Sequence, residues 1–99
     1  MRPNENRFLM LGLLLQEAKG YQAKEPGAEA TFALIDQVKG VLSVLGECEW
    51  KEEAPVQVLD AFGRLSAAEG LVKEGNIPLA VRITKLALMH LIAKEALFK

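Results

Sequence analysis

A chain of 99 residues makes one domain with a single modest core, because a chain of this size buries roughly 60 to 70% of the surface it exposes when unfolded. Its formal net charge of −1 offers no positive field to neutralise phosphates, so nucleic acid is not an expected partner. Leu occurs 16 times and Ala 13 times against two Ser and two Thr, a balance of strong helix formers that predicts an all-α domain spanning residues 1–99.

The first segment, Met1 to Leu15, has the outline of a signal peptide, with Arg2 and Arg7 ahead of an apolar run. The run is short, Glu5 interrupts its basic lead, and no small-residue cleavage site follows Leu15. The expectation is a first helix from about Asn4, a good N-cap, to about Lys24, stopped by Glu25-Pro26-Gly27. Over its opening turns Phe8, Leu9, Met10, Leu11, Leu13, Leu14 and Leu15 point in every direction, more apolar surface than one core-facing stripe can hide.

The second helix runs to about Leu45, with Gly46 suited to its C-cap. Ala30, Leu34, Val38, Val41 and Leu45 fall at steps of three and four and make one stripe. The connection that follows, from Gly46 to Pro55, holds four Glu, the lone Cys48 and the lone Trp50. Flanking carboxylates disfavour a reactive Cys48 thiolate, and a single thiol is a poor structural zinc site, so an acidic surface connection with Trp50 tucked against the bundle is expected. One cysteine cannot form an intrachain disulfide and fits a reducing compartment, the cytoplasm.

The third helix should start near Pro55, with a stripe of Val58, Ala61, Phe62, Leu65, Ala68 and Val72, and end at Gly75-Asn76. Asn76 is placed to cap the fourth helix, which has Pro78 in its first turn and continues to Phe98. In Ile77 to Phe98, 15 of 22 residues are apolar, and only a narrow strip around Arg82 and Lys85 looks wet. The length would suit a membrane span, but Arg82, Lys85 and His90 lie inside it, and a central Arg or Lys costs about 2.5 to 3.5 kcal/mol on insertion. No membrane association is expected.

Gly63, Ala67 and Gly70 on the third helix and Ala80 and Ala87 on the fourth predict a tight antiparallel hairpin in which small side chains let the backbones approach. The glycines within predicted helices, at 12, 20, 40, 63 and 70, are read the same way. Ala68, Leu71, Gly75, Asn76, Ala80 and Ala87 give this hairpin a resemblance to part of a tetratricopeptide repeat, which implies small residues at the helix contact and a short turn. The resemblance covers about 25 residues and departs from the repeat at Arg64, Ala67, Thr84 and Ile92. One unit cannot make a solenoid, so a close-packed hairpin within a four-helix antiparallel bundle is the expected fold.

Catalytic and metal chemistry has few possible members. His90 is the only histidine, and its neighbours three residues away, Ala87 and Ala93, supply no carboxylate, so a packed or interface histidine is expected. Seven residues separate Arg82 from His90, which does not fit the Arg and His spacing of the HEPN ribonucleases. Asp36 and Asp60 are the only aspartates and lie on different helices. No phosphate-cradling glycine loop, metal-ligand spacing or cofactor motif is present, so no catalytic residue, cofactor or metal is assigned.

The surplus apolar surface of the first and fourth helices predicts a non-catalytic, self-associating interaction module. Its homodimer would form through Leu9, Leu13, Leu88 and Ile92 as apolar contacts with Arg82 and Lys85 as a polar rim; a different protein is the other possible partner. Two alternatives stay open: an apolar small molecule held between the first and fourth helices, and an enzyme whose site forms across a subunit interface from His90, Asp36 and Asp60.

Overall fold

A computed structural model describes residues 3–24, 26–45 and 54–94. Within them lie four helices: α1 (Pro3–Lys24), α2 (Ala28–Leu45), α3 (Ala54–Lys73) and α4 (Ile77–Ala93). The helix α1 starts one residue ahead of the expected Asn4 cap, with Pro3 in the first turn where its missing N–H costs nothing. Gly46 and the acidic connection with Cys48 and Trp50 lie outside the described residues.

The turn from α3 to α4 is a Schellman motif. Gly75 adopts φ +85°, its N–H donates to the Val72 carbonyl at 3.0 Å, and the Asn76 N–H donates to the Leu71 carbonyl at 2.8 Å. Asn76 then takes the N-cap position of α4, where its carbonyl accepts from the Ala80 N–H at 3.1 Å. Its side chain makes no capping bond, so the expected Asn cap is a matter of position only, with backbone φ −91° and ψ 67°. At its far end α4 reaches Ala93, where the Lys94 N–H turns back to the Leu91 carbonyl at 3.0 Å, and the rest of the expected helix, to Phe98, lies outside the described residues.

Short connections after α1 and α3 force each helix to run antiparallel to the next. Tyr21 and Gln22, late in α1, lie beside Ile77 and Val81, early in α4, so that pair is antiparallel too. The longest dimension, 37 Å, matches a 22-residue helix of about 33 Å, which puts the helices lengthwise. Extensive contact runs around the ring α1–α2–α3–α4 and closes between α4 and α1, while α2 and α4 touch across the middle. The result is a closed all-α four-helix bundle, not a hairpin stacked in an open superhelix.

The core takes Phe8, Leu11, Leu14 and Ala18 from α1 and Leu34, Ile35, Val38, Val41 and Leu42 from α2. Helix α3 contributes Val58, Ala61, Leu65, Ala68 and Val72, five of its six expected stripe residues, with Phe62 half-buried at the edge. Helix α4 contributes Ala80, Val81, Ala87, Leu88 and Leu91. Two hydroxyls are buried with them, and both are satisfied inside their own helix turn: Thr31 Oγ1 donates to the Gly27 carbonyl at 3.0 Å and Thr84 Oγ1 to the Ala80 carbonyl at 2.9 Å. Across α2 and α3, Lys39 pairs with Glu69.

The expected role of the glycines is overturned. A Cβ built at Gly12, Gly20, Gly40, Gly63 or Gly70 meets no atom within 4 Å, so none of them is there to let another helix of this chain approach. Gly63, Ala67 and Gly70 face outward, and the small residues buried between the helices of the hairpin are Ala61, Ala68, Ala80 and Ala87. Ala68, Ala80 and Ala87 are among the residues that carry the tetratricopeptide resemblance.

Candidate interaction surface

The surface is marked by large apolar side chains left in solvent. Among the described residues eight such side chains are exposed: Leu9, Met10 and Leu13 on α1, Val56 and Leu59 on α3, and Leu79, Leu86 and Met89 on α4. Six of the eight belong to α1 and α4, which are neighbours, and none of the eight lies on α2. Leu9 is 62% exposed and Leu13 71%, values that leave most of each side chain in water.

Both helices present these residues in an ordered way. On α4 the exposed positions Leu79, Arg82, Leu86, Met89 and Ala93 follow steps of three, four, three and four. On α1 the exposed positions Asn6, Leu9, Leu13, Gln16 and Gly20 follow the same steps. This spacing of 3.5 residues is the seam along which helices interlock knobs into holes. The seam of α4 is flanked on one side by Ile83 and His90 and on the other by Lys85 and Ile92, each pair seven residues apart and half-buried. His90 reaches α3, so the flank with Lys85 and Ile92 is the one turned toward α1.

The residues singled out from sequence therefore separate. Leu9, Leu13 and Arg82 are exposed, and Lys85 and Ile92 lie half-buried at the edge of the seam. Leu88 is corrected: it is 0% exposed in the centre of the core and cannot contact a partner while α4 stays in the bundle. Its place on the outer surface belongs to Leu86, two residues before it, and Met89, one residue after it. Reading apolar residues around the whole of α4 missed this, because an angle of 100° between neighbours puts Leu88 opposite the seam. The exposed Val56 and Leu59 of α3, 63% and 70% exposed, were also missed; both lie off the stripe through Val58, Ala61 and Leu65, and that offset was the available signal.

Two of the three polar candidates are tied to a neighbour. His90 Nε2 lies 2.8 Å from Gln57 Oε1 across the α3–α4 groove, a partner outside its own helix that sequence spacing could not supply. Asp60 Oδ2 accepts from Arg64 Nε at 3.0 Å, one turn along α3, and Asp36 is exposed on α2. His90 and the two aspartates make no hydrogen-bonded set among the described residues. No group of three or more His, Cys, Asp or Glu among those residues could hold a metal ion.

At the end of the bundle where α1 meets α4, a cleft of about 380 Å³ opens between Tyr21, Gln22, Pro26, Ile77, Pro78 and Val81. The Tyr21 hydroxyl donates to Glu17 Oε1 at 3.0 Å. Desolvation, followed by that hydrogen bond and the negative charge of Glu17, raises the phenol's pKa above its ordinary value. Among the described residues, no helix is long and apolar enough to cross a membrane. No protein-family model, curated protein or solved structure matches this chain.

Proposed function

We propose that this protein is a non-catalytic helical interaction module that self-associates through the outward seams of α1 and α4. The observation that carries the reading is the exposure of Leu9 and Leu13 on one helix and of Leu86 and Met89 on the helix packed against it, each at coiled-coil spacing. Arg82 sits within the α4 seam and Lys85 with Ile92 along its edge, where a charged rim would border a desolvated apolar centre. A homodimer is the simplest assembly, since a self-complementary patch closes with twofold symmetry.

The test is solution mass by light scattering across a concentration series, on the full chain and on a Leu9→Asp, Leu13→Asp double variant. The expected result is a dimer that the double variant reduces to monomer without loss of helix content. A wild-type chain that stays monomeric at every concentration would sink the self-association. Capture of a different protein that the double variant fails to hold would then redirect the same surface to a hetero-partner.

A second reading rests on the cleft at the end of α1 and α4, whose volume falls at the lower end of small-molecule sites. An apolar compound held there would survive purification and appear on organic extraction and mass spectrometry. An empty extract removes this reading and leaves the first unaffected.

A further inference from the structure

On the opposite flank of α1, away from α4, a groove of about 360 Å³ runs between α1 and α2. Its walls are Met10 and Leu14 from α1 and Gly40, Val41 and Val44 from α2, with Gln37 and Arg7 as its polar members. Among the described residues no acidic side chain lines it. Arg7 Nε is nonetheless buried and has no hydrogen-bond partner, and neither ion pair among the described residues involves Arg7.

Arg7 lines the groove with a permanently charged guanidinium that no ion pair among the described residues compensates, so an anion entering the groove meets an unneutralised positive charge. Apart from Gln37, the rest of the described lining is apolar and would gain nothing from an inorganic ion. The antiparallel run of α1 and α2 puts Arg7 at one end of the groove and Leu14 two turns, about 10 Å, further along. Gly40 leaves the wall open there, because even a Cβ added to it touches nothing within 4 Å.

We infer that the α1–α2 groove binds a medium-chain alkyl carboxylate. The head accepts from the terminal N–H groups of the Arg7 guanidinium, and the tail lies past Gly40 between Met10, Leu14 and Val41. Charge complementarity selects the head, and the apolar walls select the tail over a small anion.

The experiment is a titration of the full chain with decanoate below its micelle concentration, followed by NMR of the Met, Leu and Val methyl groups, with decanol, acetate and chloride as comparison probes. The expected result is saturable shifts at Met10, Leu14 and Val41 with decanoate. Arg7→Gln should weaken binding at least about tenfold, because a neutral amide replaces the charge-assisted contact of the guanidinium. Gly40→Leu fills the groove at a site with room for a side chain and should abolish binding while circular dichroism and melting show an intact bundle. Decanol binding as tightly as decanoate, no effect of either substitution, or no saturable shift would overturn the inference. So would acetate or chloride binding as tightly as decanoate, which would reduce the site to an ion on Arg7, or decanoate shifts confined to Leu9 and Leu13 or to the cleft at Val81.

Discussion

His90 Nε2 and Gln57 Oε1 meet at 2.8 Å across the groove between α4 and α3, a polar tie at the end of the hairpin far from its turn. Gln57 lies early in α3 and His90 late in α4, as an antiparallel pair requires. With Gln57 Oε1 as acceptor, Nε2 carries the proton. A double-mutant cycle with His90→Ala and Gln57→Ala should return a coupling of about 1 kcal/mol in urea unfolding, the ordinary net worth of such a bond. Additive single effects would show that the two side chains do not depend on each other.

Leu88 and Leu13 make a contrast of place on the same chemistry. Leu88→Ala removes a fully buried side chain and should cost about 2 to 5 kcal/mol of unfolding free energy. Leu13→Ala, at a position 71% exposed, should stay within about 0.5 kcal/mol when measured on the monomer, with its effect appearing in assembly. Equal destabilisation by the two would mean that Leu13 also belongs to a core.

The helical glycines should respond oppositely to the turn glycine. Gly40→Ala, Gly63→Ala and Gly70→Ala each meet open space and should raise the thermal midpoint, with gains of about 0.5 to 1 kcal/mol apiece from reduced chain entropy. Gly75→Ala forces a side chain onto φ +85° and should lower stability by about 1 to 2 kcal/mol. A loss of assembly on Gly63→Ala or Gly70→Ala, without loss of helix, would instead show that this face of α3 is in contact with a partner.

Tyr21 is the only tyrosine, so its phenolate absorbance reports one group. Desolvation and Glu17 raise its pKa in the folded state, and the alkaline midpoint should lie above the ordinary 10.0. The folded state then holds the proton more tightly than the unfolded one. This contribution to stability is fully present below the unfolded pKa and is lost as pH rises through the folded one. Glu17→Gln should bring the midpoint down toward the ordinary value; an unchanged midpoint would leave desolvation as the whole cause.

Helix boundaries and composition were legible in the sequence because they depend on local chemistry. Gly75 can enter the left-handed region, Pro26 with Gly27 breaks the chain between α1 and α2, and Pro78 fits a first turn. The stripe of α3 was legible for the same reason, since Val58, Ala61, Leu65, Ala68 and Val72 repeat at the helical period. The sequence by itself thus determined an all-α chain of four helices with too much apolar surface on α1 and α4. It did not determine which apolar residue faces which way on those two helices, because residues that are apolar all round carry no directional signal. Only the tertiary structure decided that Leu88 goes inward while Leu86 and Met89 go outward, that His90 finds Gln57, and that Arg7 faces an apolar groove. Each of those depends on which other helix lies alongside, a relation between segments far apart in the chain that no local spacing encodes.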